Sequence, residues 1–180
     1  MIAFLDSSAL IYYFEGAPRY RQAVVEALAA IKSKDASATV AVSRLGVMEC
    51  RVKPLREGDK ISLAAYDSFF AQTAIVELSA EVVTLATNIR ASNGLKTPDA
   101  LQAACAMSLG ADCVFVTGDV GFARVQGLNA QIIHVISGSS LVEETLFGQE
   151  STHAATYKNF VALAGIESAR AAMKIEAKAE

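Results

Sequence analysis

Short apolar runs alternate along the chain with longer stretches in which apolar residues recur every three or four positions. Ile2–Leu5 is an unbroken apolar run that stops at Asp6, and it predicts a buried strand. From Pro18 to Ser33, residues Ala23, Val24, Ala27, Leu28 and Ile31 fall at helical spacing. Thr39–Val42 predicts a second strand, followed by a helix through Leu45, Met48 and Glu49. Pro54 and Gly58 are expected to interrupt the next stretch, and Ile61–Ala71 is helical again. Ala74–Leu78 predicts a third strand. Ser79 has the character of an N-cap for a helix to about Asn93, with Gly94 as its C-terminal stop. Thr97 is read as the N-cap of another helix, with Pro98 at its first position and Gly110 at its end. Cys113–Val116 and Ile132–Ile136 complete the predicted strands.

Strands alternating with helices define an α/β chain with a mainly parallel sheet covered on both faces. In such sheets the working crevice lies beyond the carboxyl ends of the strands. Residues 1–136 contain no repeat and no low-complexity linker, and are expected to form one domain. Gly138-Ser139-Ser140 marks a break, and residues 137–180 are expected to form a C-terminal extension. From about Ser151 that extension is rich in Ala, Lys and Glu, with Tyr157, Phe160, Val161 and Met173, which predicts helix with a frayed end.

Composition narrows the class. Of 180 residues, 53% are hydrophobic and 19% charged, which excludes disorder for most of the chain. The mean hydropathy of +0.34 is high. The apolar runs nevertheless stop far short of the ~20 residues of a membrane span, so no membrane association is expected. The surplus is assigned to a core and to a subunit interface. The net charge of −3 argues against a generic basic nucleic-acid binder. Residues 1–136 hold thirteen acids and twelve bases; with four of those acids committed to a cation, the remainder is net +3. A mildly basic surface around a metal-charged pocket suits a phosphate-bearing substrate. Cys50, Cys105 and Cys113 are odd in number and widely spaced, and read as buried thiols in a reducing cytoplasm. No basic region precedes the apolar start, so no secretory signal is expected.

Four carboxylates carry the chemistry. Asp6 ends the first strand, and Asp119 follows the strand in VFVTGDVGF. Asp99 falls in the first turn of the helix opened by Thr97-Pro98, and Glu49 lies about two turns into the helix after the second strand. Taken singly, Asp99 could serve the helix dipole, Asp119 a turn and Glu49 a solvated face. Taken together they can converge at one edge of one sheet. Carboxylates are hard oxygen donors suited to magnesium or manganese. Four of them packed without a cation would repel strongly. A cation held there activates water and offsets charge developing on a phosphate. The hydroxyls of Ser7, Ser8 and Thr117 lie beside the acids in sequence and could orient ligands.

These pieces, FLDSSALIYYFE, SRLGVMEC, LKTPDALQAACAMSLGAD and VFVTGDVGFARVQGL, resemble the PIN domain over residues 1–136, and more narrowly the VapC-type toxin ribonucleases of bacterial toxin–antitoxin pairs. The resemblance implies a three-layer αβα sandwich and a magnesium- or manganese-dependent endoribonuclease acting by hydrolysis to leave a 5′-phosphate and a 3′-hydroxyl. It places the acidic quartet, as catalytic metal ligands, on Asp6, Glu49, Asp99 and Asp119, and an accompanying hydroxyl on Thr117. It also implies a homodimer and a small antitoxin whose tail fills the groove. Gln102 stands where many relatives carry His, which is expected to alter substrate contacts. Gly118 replaces a commoner polar residue. The extension from about Ser137 lies outside the resemblance.

Arg44, Arg51, Lys53 and Arg56 surround Glu49, and Lys96 precedes Asp99 by three residues; Arg44, Arg51, Lys53 and Lys96 are candidates for RNA phosphates. Tyr12, Tyr13 and Phe14 are assigned to core and interface, and His134 and His153 to no site. A haloacid-dehalogenase-like phosphatase also begins with a strand ending in Asp, but it needs a second Asp where Ser8 stands. Two further readings are an RNA-processing nuclease without an antitoxin and a PIN-fold binding protein without turnover.

Overall fold

The computed structural model describes residues 1–135. Five strands are present among them: β1 (Ile2–Leu5), β2 (Thr39–Ser43), β3 (Ala74–Val76), β4 (Cys113–Thr117) and β5 (Ala130–Ile132). Six α-helices join them: α1 (Ser7–Phe14), α2 (Pro18–Lys34), α3 (Arg44–Glu57), α4 (Lys60–Phe70), α5 (Ala80–Asn93) and α6 (Thr97–Ser108). A 3-10 turn covers Val120–Arg124. The sheet order is β3-β2-β1-β4-β5, and each neighbouring pair is parallel. The chain moves outward from β1 through β2 to β3, then returns to the other side of β1 with β4 and β5. The strand order therefore reverses between β1 and β4, where a crevice opens at the carboxyl ends.

The period-two alternation of side chains sorts the strands onto two cores. Ala3, Leu5, Val40, Val42, Val114 and Val116 face α1 to α4. Phe4, Ala41, Cys113 and Phe115 face α5, α6 and the 3-10 turn. Helices thus cover both faces, and the αβα sandwich is the observed architecture. On the first face Phe14 packs against Tyr66 with ring centroids 4.7 Å apart. On the second, Phe115 meets Phe122 at 4.7 Å.

Several boundaries differ from the sequence reading, each for a local reason. Helix α1 is not visible in the hydrophobic pattern. It has eight residues and is apolar almost all round: Ala9, Leu10, Tyr13 and Phe14 are buried, yet Ile11 is apolar and exposed. Pro54 does not interrupt α3 but lies inside it, buried, three residues before the end. Its missing donor falls in the last turn, where the loss stays local. Gly58 then adopts φ 67°, the left-handed C-cap that stops the helix. Thr97 is the first helical residue of α6 and Lys96 is its N-cap. The Thr97 hydroxyl instead accepts a hydrogen bond from Arg90. Helix α6 ends at Ser108 rather than Gly110. Strand β5 begins at Ala130, two residues early, so His134 follows it and is exposed rather than held in an apolar strand. Ser79 and Gly94 cap α5 as expected. The expected helix from about Ser151 and His153 lie outside the described residues.

Candidate functional site

The register of β1 on β4 builds the centre of the site. Leu5 pairs with Val116, and the Asp6 amide donates to the Val116 carbonyl at 3.0 Å. Asp6 and Thr117 therefore leave adjacent strands side by side. Asp6 is only 6% exposed, which for a carboxylate demands hydrogen bonds. Its Oδ1 accepts from the Ser7 amide at 2.8 Å, so Asp6 also N-caps α1. Its Oδ2 accepts from the Ser8 hydroxyl at 2.7 Å and the Thr117 hydroxyl at 2.9 Å. The Ser7 hydroxyl is more distant from Oδ1, at 3.4 Å. The hydroxyl pair closest to Asp6 is thus Ser8 with Thr117. Thr117 Oγ1 also accepts from the Asp119 amide at 3.1 Å, and Ser8 Oγ from the Gly118 amide at 3.0 Å. These bonds tie the loop after β4 to the start of α1. A Cβ on Gly118 would lie 2.4 Å from the Tyr12 ring, so a larger residue there requires that ring to shift.

The other acids enter from three elements. Asp119 is exposed and N-caps the 3-10 turn, its Oδ1 accepting from the Gly121 amide at 2.7 Å. It thus fills the turn role as well as standing near the site. Asp99 is half-buried in the first turn of α6 and accepts a backbone hydrogen bond at Lys96. Burial, then the negative charges of Asp119 and Asp6, push the Asp99 carboxyl above its ordinary pKa; the Lys96 charge opposes this. Three acids of the quartet therefore feel one another. Glu49 on α3 is half-buried, and its Oε2 accepts from Gln102 Nε2 at 2.9 Å. Gln102 is 2% exposed and receives the Ser43 hydroxyl on Oε1 at 2.6 Å. It is thus an interior group on Glu49 rather than the substrate contact expected from sequence. Ser43 was not foreseeable, because its link to Gln102 spans 59 residues. The resemblance had singled out Gln102, and helical spacing, which places it three residues beyond Asp99, is the signal that sets it on the same helix face as that acid.

The donor chemistry fits a hard divalent cation: four carboxylates, one of them destabilised by burial and like charge. The spacing is looser than the chemistry. Among the described residues no three His, Cys, Asp or Glu side chains stand close enough together to hold a metal ion. The three cysteines are free and buried, and burial raises the Cys105 and Cys113 thiols to about 11, which makes them inert packing groups.

The basic candidates separate. Arg44 donates to Glu77 through Nε at 3.0 Å, Arg51 pairs with Asp67 at 3.1 Å, and Lys53 pairs with Glu15 at 2.8 Å. Arg44 and Arg51 border a groove of about 490 Å³ with Met48, Val52 and Leu55, all three apolar and exposed. Lys96 is exposed at the N-cap of α6, and its charge acts on Asp99. Tyr13 and Phe14 are core residues, while Tyr12 is half-buried against Tyr20 with ring centroids 4.8 Å apart.

Comparison with known proteins places this architecture. The PIN domain model matches residues 3–128, and the chain belongs to the PIN domain family. Its fold is similar to VapBC2 from Rickettsia felis, solved bound to a DNA fragment from its promoter, with TM-score 0.60 and 19% identity, covering 73% of this chain and 98% of that one. It is similar to a toxin–antitoxin complex from Klebsiella pneumoniae, with TM-score 0.59 and 22% identity over 74% of this chain and 99% of the other. VapBC-1 from nontypeable Haemophilus influenzae gives TM-score 0.55 and 19% identity, over 73% of this chain and 98% of that chain. No curated protein gives a significant sequence match. Among the described residues no helix is long and apolar enough to cross a membrane.

Proposed function

We propose that the chain is a magnesium- or manganese-dependent endoribonuclease and the toxin of a toxin–antitoxin pair. The observation that carries this is the upward push on Asp99 by burial together with the charges of Asp119 and Asp6, in the crevice where the strand order reverses. Mutually repelling carboxylates, Asp6 buried and Asp99 half-buried, are costly to keep ionised unless a cation uses them. Asp6 and Asp99 are assigned as direct ligands, Asp119 as direct or through water, and Glu49 mainly through water. A bound divalent cation supplies an activated water and offsets charge on the phosphate. The chain's own contribution is orientation. Ser8 and Thr117 hold one oxygen of Asp6, and Ser7 serves the same carboxylate through its amide. Water adds to phosphorus and the bond to the 3′ oxygen breaks, giving a 5′-phosphate and a 3′-hydroxyl.

Of the basic candidates, Lys96 is the best placed for an RNA phosphate, since Arg44, Arg51 and Lys53 already face acids. The exposed apolar face of Met48, Val52 and Leu55 supports a protein partner, either a second copy or a small antitoxin. One structure of similar fold is a toxin–antitoxin complex and another a member of a toxin–antitoxin family, which favours the antitoxin. Residues 1–136 are taken as the catalytic domain and residues 137–180 as an extension of it.

The loose spacing of the acids favours one rival, a PIN-fold binding protein without turnover. A single assay decides between them. Purified, partner-free protein is incubated with mixed cellular RNA in magnesium, manganese or EDTA, beside Asp6→Asn. Discrete fragments that require both metal and Asp6 are the expected result. Intact RNA under every condition, from folded protein, establishes the rival.

A further inference from the structure

Gln102 is the most deeply buried amide of the site, and it is held at both ends. The Gly46 amide donates to Ser43 Oγ at 2.8 Å. The Ser43 proton is thereby left for Gln102 Oε1, at 2.6 Å. Gln102 Nε2 then donates to Glu49 Oε2 at 2.9 Å. The order admits one sense only. A reversed amide would set Oε1 against the Glu49 carboxylate, two acceptors facing each other. The bonded path starts on α3, crosses to α6 and returns to α3. Gly46 gives it room, since a Cβ there would lie 3.3 Å from Ser43 Oγ and 3.5 Å from Gln102 Nε2. Asp99 and Gln102 are three residues apart on α6 and share one helix face.

We propose that Gln102 is a positioning residue: a strut that engages Oε2 of Glu49, leaves Oε1 to a ligand, and fixes Glu49 on α3 relative to Asp99 on α6. A buried polar network whose members are all satisfied is rigid, and a ligand group held by such a partner keeps one orientation. Glu49 is otherwise a half-buried side chain with three rotatable bonds. This inference rests on the reading of Glu49 as a cation-binding group.

The test uses the full chain and Mn²⁺ as probe. Calorimetry on Gln102→Leu is expected to show Mn²⁺ affinity reduced about tenfold, the usual scale for losing a group that orients a ligand. Gln102→Met, which keeps the length and loses the donor, serves where Leu unsettles the fold. Gln102→His, with one accepting and one donating nitrogen, is expected to restore most of the affinity. In a Glu49→Gln background the Leu substitution is expected to cost nothing further, because the two act as a unit. Separately, in metal-free protein, the Gln102 side-chain amide protons are expected to exchange slowly and to shift in Glu49→Gln. Unchanged Mn²⁺ affinity in Gln102→Leu, or full additivity with Glu49→Gln, overturns the strut. Wild-type protein that binds no Mn²⁺ overturns the metal reading and the strut's purpose with it; slow amide exchange in that same sample identifies this as the failure, rather than a missing bond.

Discussion

Thr117 donates its hydroxyl to Asp6 Oδ2 at 2.9 Å, across 111 residues of sequence and between the two strands where the sheet order reverses. Both side chains are buried, and Ser8 joins them at 2.7 Å from the same oxygen. The carboxylate is held by neutral donors, and among the described residues no cationic side chain is bonded to it. Such an arrangement orients the group without neutralising it and leaves its charge for a cation. Asp6→Asn keeps the size and the capping oxygen, so the fold is expected to persist. Cleavage is expected to fall at least about a thousandfold, since a lost metal ligand removes several kcal/mol of charge stabilisation. Initial rates on RNA beside circular dichroism spectra check this; a folded, active Asn variant rejects the assignment.

The same carboxylate predicts how the fold answers to metal. A cation that binds the native state alone stabilises it by RT ln(1 + [L]/Kd), about 2.7 kcal/mol at a hundredfold excess over Kd. For a chain of this size that corresponds to a rise in Tm of about 5–10 °C. Thermal melts in MnCl2 are expected to show this rise, EDTA to reverse it, and Asp6→Asn to lack it. An identical rise in Asp6→Asn places the ion elsewhere.

Asp99 fixes the direction of a pH effect. Its folded carboxyl is raised above its ordinary value of 3.8 by burial and by Asp119 and Asp6. The native state therefore binds more protons than the unfolded state as pH rises from that value to the raised one, and stability falls across this window. Above it the ionised group weighs on the fold. Metal-free Asp99→Asn is expected to melt higher than wild type at pH 7, with the difference shrinking as pH drops toward 3.8. The variant gives up metal binding in exchange, so Mn²⁺ narrows or reverses the gap. A variant that melts lower than wild type at pH 7 in EDTA contradicts the direction.

How much of the molecule is legible in its sequence depends on the range of each interaction. The strand–helix alternation is a local pattern, and β2, α2 and α5 lie close to where it puts them. Ser79 and Gly94 are local signals too, and both caps are present. The four acids stand at strand ends or early in helices, positions legible from the apolar runs beside them. Helix α1 escapes because it is short and apolar on nearly every side, the exposed Ile11 included, which erases its periodicity. The cap of α6 shifts by one residue because Arg90, on another helix, takes the Thr97 hydroxyl. The Ser43–Gln102–Glu49 path joins residues 59 and 53 apart, and no spacing rule reaches that far.

Gly118 illustrates a departure that only packing explains. As sequence it is a missing polar side chain; in the fold it is the place where Tyr12 lies over the loop after β4. A Cβ there would stand 2.4 Å from the ring, closer than any tolerated contact. Gly118→Ala is expected to cost about 1–3 kcal/mol, the usual penalty of forcing an extra methyl into a filled space. Tyr12→Ala in the same chain removes the clash and is expected to recover most of that loss relative to Tyr12→Ala alone. Chemical denaturation of the four proteins gives the coupling directly. Additive losses place the strain elsewhere than at the ring.

Lys96 carries the last prediction. Arg44, Arg51 and Lys53 each face an acid, whereas Lys96 sits at the N-cap of α6, three residues from Asp99, with its charge acting on that carboxyl. A phosphate entering the crevice would meet Lys96 at the mouth of the acidic site. A lysine that contacts one phosphate of a single strand releases about 0.7 of a counterion, so its loss lowers the salt slope of binding by that amount. Lys96→Ala is expected to show this drop, measured by fluorescence anisotropy of labelled RNA across a salt series in a cleavage-dead Asp6→Asn background. Arg44→Ala is expected to leave the slope nearly unchanged, because its guanidinium is already engaged by Glu77. A larger drop in Arg44→Ala than in Lys96→Ala moves the RNA path away from α6 and onto α3.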